Sequence, residues 1–476
     1  MSSVRKSIII VLVERYLTLI ISFVGAMLLA RVLTPMEIGI YSVAAAATGI
    51  AQMLRDFGVG SYIIQEKELT KDRLRTAMTI TLFTSWLAAA LLFISREWIA
   101  DFYDEQALAL LIEIQCINFL IIPFTAPILS LLRREMQFAV LFRTGLICSI
   151  AQLVTTLSLA VSGYGYLSLA WGGVANSVCL MMLINANRPS DAWLLPGLSE
   201  WRKITSFGAK VSLTSIITEI AMSMNDLVIG RFLGFNAVAI YSRAQGLMYL
   251  FHRDIMGAVR KVAFPVFAKA VREEKNLAEA YLLSVNYITV FSWPFYAFLG
   301  LFAPQIIRLL FGDQWDEAIP LVRIIVYAGA IASLWSMASS ALMSLGQVNE
   351  ILKSELIVQS IRIVLVLYAG SISIEMVCYA LVVTYIVQLI VMSRLINKSI
   401  SVRLSELIIK NYNSLFVSAF SMIFPVFVYF YILEELGDME IVLVSGSGFI
   451  LGWVLGVFAM RHPIYSEILR LIKRNN

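Results

Sequence analysis

The chain has 476 residues, 59% of them hydrophobic and 14% charged, with a formal net charge of +5. A soluble globular chain is nearer 45–50% apolar and about 25% charged, so a water-soluble enzyme or binding domain is excluded as the class. The excess apolar residues fall in separate stretches of about 20, enough to cross a hydrocarbon core roughly 30 Å thick.

In lipid each such stretch must pair its own backbone groups, which makes it a helix, and the alternation of a membrane β-barrel is absent. Taken in chain order, Arg5 and Lys6 precede the first apolar run. Glu14 and Arg15 interrupt it and no small-residue cleavage site follows, so it reads as a span and not as a secretory leader. Fourteen spans are predicted, at 8–30, 37–60, 76–94, 108–132, 140–161, 166–185, 205–230, 236–258, 281–303, 319–344, 352–369, 374–393, 414–433 and 441–460. Pro123 and Pro127 in span 4, Pro294 in span 9 and Pro425 in span 13 mark kinks, which neighbouring helices can accommodate. The connecting loops are short, and no soluble domain is expected on either side.

Charge gives the orientation. The segments that share a side with the N-terminus hold 24 of the 37 Lys and Arg, the opposite loops hold 4, and 9 lie within spans. Cytoplasmic loops carry the basic excess, which predicts that both termini are cytoplasmic. The positive net charge is this bias, and no nucleic acid is needed to explain it. Cys116, Cys148, Cys179 and Cys378 all sit in apolar stretches without ligand spacing, and His252 and His462 are far apart. Neither a metal site nor any other cofactor is expected.

The chain also repeats itself. Residues 30–42 read ARVLTPMEIGIYS and residues 230–242 read GRFLGFNAVAIYS, so Arg31 matches Arg231 and Tyr41 matches Tyr241 at an offset of 200. A second pair sets Phe102-Tyr103-Asp104-Glu105-Gln106-Ala107 against the segment from Phe311 to Ala318. Repeats of the same orientation predict two six-span lobes related by an axis along the membrane normal. The expected division is 1–204 for spans 1–6, 205–400 for spans 7–12, and 401–476 for spans 13–14 and the tail.

The segment from Asp226 to Gly234, followed by Ala239-Ile240-Tyr241-Ser242-Arg243-Ala244-Gln245, resembles the Wzx-type polysaccharide transporter family. Phe264-Pro265-Val266-Phe267 and Leu310-Phe311-Gly312-Asp313-Gln314-Trp315 carry the same resemblance. The chain departs from it at Ala239, where the family usually has glycine. The family belongs to the multidrug/oligosaccharidyl-lipid/polysaccharide exporter superfamily. The resemblance implies a flippase that moves undecaprenyl-pyrophosphate-linked repeat units across the cytoplasmic membrane by alternating access, for exopolysaccharide, capsule or O-antigen. Lipid-linked oligosaccharide is then its substrate, with the polysaccharide polymerase and export machinery as further partners.

Polar residues at membrane depth point the same way. An ionisable group inside a span costs ~2.5–3.5 kcal/mol on insertion scales, so it normally faces protein or a wet cavity. At helical spacing, Glu14, Thr18, Ser22 and Gly25 share a face of span 1, and Tyr41, Thr48, Gln52 and Arg55 one of span 2. Span 7 carries Ser215, Glu219, Ser223 and Asp226. Span 8 carries Tyr241, Gln245, Tyr249 and His252 with Arg253 beside them, and span 11 carries Glu355, Gln359 and Arg362. A diphosphate entering a low-dielectric cleft needs cations, and guanidinium forks bind phosphate oxygens in bidentate fashion. The candidate cargo contacts are therefore Arg15, Arg55, Arg243, Arg253, Arg362, Gln52, Gln245 and Gln359. For Arg15, Arg55, Arg243 and Arg253 the competing reading is a side chain that snorkels to the surface. Glu14, Glu219 and Asp226 either carry a coupling ion or form structural ion pairs.

No GxxxxGK[ST] segment is present, which excludes a P-loop ATP-driven pump. A membrane glycosyltransferase would bring acidic metal ligands or a large external loop, and the chain offers neither, so no enzyme activity is expected. A multidrug exporter or a peptidoglycan-precursor flippase has the same architecture. Cationic drugs favour acidic pockets, whereas this chain concentrates arginines.

Overall fold

The computed structural model describes residues 2–66, 68–189, 196–199, 201–433 and 436–465, and the described residues contain helices and no strand. All fourteen predicted stretches fall on helical segments. Among the described residues, nine helical segments are long and apolar enough to cross a membrane. The chain is a multi-pass α-helical membrane protein. Span 1 is described as the shorter apolar helix Tyr16–Val32, while charged and polar side chains interrupt spans 2, 7, 8 and 11. Here the sequence trades insertion energy for polar groups.

The helix boundaries repeat at the same offset as the sequence. Helix Ser2–Val32 gives way to Pro35–Asp56, and Trp201–Phe232 gives way to Phe235–Tyr249. The first break is capped by Thr34 and Glu37, each side chain accepting from the other's backbone N–H. The second turns at Gly234, whose φ of +85° favours glycine. The prolines of span 4 act as predicted. They divide it into Ala107–Ile121, a 3-10 turn at Ile122–Phe124, and Ala126–Arg134. Pro294 and Pro425 stay inside continuous helices. Span 8 holds a π-helical segment, Leu250–Ile255, which the sequence did not announce. Cys116, Cys148 and Cys378 are buried and Cys179 is half-buried.

Two compact units divide the chain, Met1–Ala239 and Ile240–Asn476. In the first, the span 7 helix Trp201–Phe232 packs along Pro35–Asp56 of span 2. The packing is close: a Cβ on Gly39 would lie 1.8 Å from the Phe235 carbonyl oxygen, and one on Gly208 would lie 2.3 Å from that of Phe57. The Tyr103 hydroxyl donates to the Leu227 carbonyl at 3.0 Å, tying span 3 to span 7.

In the second unit span 13 packs on span 9 and span 14 packs on span 13, with Trp453 of span 14 stacked on Phe291 of span 9. A buried polar knot joins them. Asn286 Nδ2 donates to the Lys410 carbonyl at 3.1 Å, Thr289 Oγ1 donates to Asn411 Oδ1 at 2.7 Å, and Ser414 Oγ meets His462 Nε2 at 3.2 Å. His462 Nδ1 accepts from the Ile464 N–H, which leaves the ring proton on Nε2 to serve Ser414. Burial lowers the His462 pKa to about 4, so the ring is neutral at physiological pH. Trp453 Nε1 donates to the Val290 carbonyl at 2.8 Å and completes the docking of span 14.

Candidate functional site

The first unit contains a cavity of about 490 Å3 where span 2 ends. Its shape follows from local chain geometry. Phe57 and Gly58 adopt left-handed φ of 34° and 60° and turn the chain into the short helix Val59–Gln65. The proline break of span 4 swings Ala126–Arg134 beside that helix. Arg134 Nη1 locks the two together by donating to the carbonyls of Ile63, at 2.7 Å, and Glu66. Arg55, Arg133, Ser61, Ser130, Thr125 and Ser212 line the space, and no described lining residue is acidic. The hydroxyls of Thr125 and Ser130 are already donated to helix carbonyls. The buried Ser212 hydroxyl has no partner among the described residues. Two guanidinium groups, Arg55 and Arg133, and the hydroxyls of Ser61 and Ser212 thus face one space, a set whose chemistry suits an anion.

The other polar residues of this unit have distinct surroundings. Thr48 is buried and hydrogen-bonds Gln115 of span 4, so it is a packing contact. Gln52 is half-buried one turn before Arg55, whose guanidinium lies 5.5 Å from the Phe119 ring centre. Glu219 accepts from Ser223 at 3.1 Å, and its carboxylate lies so close to Gly49 that a Cβ there would stand 2.9 Å away. No described cation lies within ion-pair distance of Glu219. Asp226 is half-buried near Tyr103. The side chains of Glu14 and Arg15 lie outside the described residues, as does that of Arg253 in the second unit.

In the second unit a different cluster forms. Glu355 accepts from Gln359 Nε2 at 3.2 Å on its own helix and from Gln388 Nε2 at 3.0 Å on span 12. Arg362, two turns further along, and Glu355 both lie within electrostatic range of Tyr385. Tyr385 stacks on Trp335, with centroids 6.0 Å apart, and His252 of the π segment meets both rings at 6.1 and 6.2 Å. The sequence reading named His252, Glu355, Gln359 and Arg362 but missed Gln388, Trp335 and Tyr385. Gln388 carried a signal, as an amide at the centre of an otherwise apolar span. The two aromatics carried none.

The motif arginines are held near the other helix ends. Arg243 lies over Phe311 and Trp315, 5.3 and 4.7 Å from their ring centres. Gln245 Nε2 donates to the Tyr241 hydroxyl at 2.9 Å. In the first unit Arg231 lies over Phe102 and pairs with Asp104 at 3.2 Å. Arg308 forms a bidentate pair with Asp316 at the matching place of the second. The two repeated aromatic-acidic segments thus each engage arginines.

These observations define a polytopic helical membrane protein with an arginine-lined cavity in its first unit. A profile of the polysaccharide biosynthesis protein family matches residues 28–320, and the chain belongs to that family. It is 25% identical over 346 residues to the teichuronic acid biosynthesis protein TuaB of Bacillus subtilis (strain 168), covering 69% of each chain. It is 24% identical over 331 residues to the lipopolysaccharide biosynthesis protein WzxC of Escherichia coli (strain K12), covering 67% of this chain and 66% of that one. The fold is similar to that of the lipid II flippase MurJ in an inward closed conformation. The TM-score is 0.76 at 13% identity, over 96% of this chain and 99% of that one.

Proposed function

We propose that this protein is a flippase that carries an undecaprenyl-pyrophosphate-linked oligosaccharide from the cytoplasmic to the outer leaflet, by alternating access and without covalent chemistry. The observation that carries this reading is the cavity lined by two guanidinium groups, with no acidic residue among its described lining, in a membrane-spanning member of a polysaccharide biosynthesis family. Its volume of about 490 Å3 is in the range of small-ligand sites and large enough for a diphosphate and its hydration. Arg55 and Arg133 receive the diphosphate first, and Arg362 in the second unit holds it later in transit. The relatives' names, for teichuronic acid and lipopolysaccharide biosynthesis, support a surface-polysaccharide precursor as cargo. A polymerase and export machinery take the product onward. Glu219, a carboxylate without a described cation, is the group best suited to bind a coupling proton or sodium ion. Glu14 and Asp226 are further candidates on spans 1 and 7. The two lobes follow the repeat, 1–204 and 205–400, with 401–476 appended.

The test is transport by the full chain in proteoliposomes containing a fluorescent undecaprenyl diphosphate oligosaccharide. The wild type should translocate this lipid and leave a cationic dye in place. A charge-assisted hydrogen bond contributes about 1.5–3 kcal/mol, so Arg55→Gln with Arg133→Gln should slow translocation by roughly ten- to a hundredfold. Dye movement without lipid movement would refute the cargo assignment.

In the orientation that charge implies, both termini are cytoplasmic, and the carrier-lipid cargo places the protein in the bacterial inner membrane. With three native cysteines buried and one half-buried, single added cysteines report accessibility. Met439→Cys should react with an impermeant maleimide from outside intact cells, and Lys398→Cys should not. The opposite pattern would invert the topology.

A further inference from the structure

We infer that the aromatic and amide cluster of the second unit is the subsite that reads the first sugar of the cargo. The inference rests on the proposed function, since a sugar joined to the diphosphate must lie beside the group that holds it. Four buried polar atoms from four side chains of this cluster have no partner among the described residues: His252 Nδ1, Trp335 Nε1, Gln359 Oε1 and Arg362 Nε. Buried polar atoms are normally hydrogen-bonded, so these four are the groups through which a bound polar ligand would be held.

The mixture of donors and acceptors selects the ligand class. A metal cation takes lone pairs only, and a diphosphate takes donors only. Here Trp335 Nε1 and Arg362 Nε offer donors, while Gln359 Oε1 and the Glu355 carboxylate offer acceptors. Groups that both donate and accept, such as sugar hydroxyls, match that set. The rings supply the rest. Trp335 and Tyr385 lie within 24° of parallel, and a pyranose presents a face of C–H groups to such planes. Glu355 is fixed by Gln359 and Gln388, so its oxygens are held in place before the ligand arrives. The π segment brings His252 to the edge of the panel. Arg362, near Tyr385, places the diphosphate contact next to the sugar contact.

The test uses the full chain in nanodiscs and four probes: undecaprenyl diphosphate alone, and the same lipid carrying glucose, galactose or N-acetylglucosamine. The wild type should bind at least one sugar-bearing probe roughly tenfold more tightly than the bare lipid. Trp335→Ala should erase that preference, while Trp335→Phe keeps most of it. Thermal unfolding checks that each variant is folded. If Trp335→Ala does not accumulate, Gln359→Leu should narrow the preference in the same way. A folded variant that keeps the full preference, or a wild type that binds all four probes alike, overturns the subsite and leaves the flippase reading standing. A wild type that binds none of the four overturns the carrier-lipid function, and the subsite falls with it.

Discussion

Arg362→Gln should nearly abolish glycan export while the protein still accumulates in the membrane, and Arg362→Lys should fall well short of wild type. Arg362 lies deep in helix Val348–Gly370, about 21 Å from Val348 and about 12 Å from Gly370 at 1.5 Å per residue. A charge at that depth costs ~2.5–3.5 kcal/mol on insertion scales and persists only with a partner. No described carboxylate lies within ion-pair distance of it. The acid on its face, Glu355, is occupied by Gln359 and Gln388, and Arg362 Nε is buried without a described partner. The cargo contact proposed above supplies a partner for it. A diphosphate gripped in bidentate fashion explains why lysine is a poor substitute, because it has the charge but no planar fork. Losing the contact costs about 1.5–3 kcal/mol, or roughly ten- to a hundredfold in export rate. Export of lipid-linked glycan, normalised to protein in the membrane, is the measurement. Normal export by Arg362→Gln would end the assignment, and a parallel loss of protein would make Arg362 a structural residue.

Gly39→Val should remove the protein from the membrane altogether. A Cβ at Gly39 would fall 1.8 Å from the Phe235 carbonyl oxygen, 2.5 Å from its carbon and 3.0 Å from its Cα. These are backbone atoms at the start of helix Phe235–Tyr249, so no rotamer change relieves the clash. Overpacking against side chains costs about 1–3 kcal/mol, and a rigid backbone contact sits at or above the top of that range. Gly446→Ala is the control, because its added Cβ meets nothing within 4 Å. That variant should accumulate normally and unfold within a few tenths of a kcal/mol of wild type, or slightly above it, alanine being the better helix former. Wild-type levels of Gly39→Val would show that the two backbones do not approach as described. The same contact explains an asymmetry of the repeat. Ala239, the counterpart of Gly39, keeps its methyl group fully buried. Glycine is obligatory in one copy of the motif and dispensable in the other.

Membrane class, helix positions and the offset of 200 were all legible in the sequence, because they depend on local quantities. An apolar run of about 20 residues can satisfy its backbone in lipid only as a helix, and a helix break needs only a cap or a glycine nearby. The polar faces of spans 2, 7, 8 and 11 were legible for the same reason, since insertion cost is summed along the chain. The fates of individual polar residues were not. Thr48 shared a helical face with Arg55, yet one is packed against Gln115 and the other lines a cavity. Arg243 read as a cargo contact and lies over Phe311 and Trp315, more than sixty residues away. Arg133 drew no notice as a loop cation and became a cavity wall once Pro123 and Pro127 broke span 4. Trp335 and Tyr385, ordinary aromatics in their own spans, acquired meaning only where His252 and Glu355 joined them. Periodicity tells which face of a helix a residue occupies. Which neighbour covers that face is decided by packing between spans distant in sequence, and only the tertiary structure contains it.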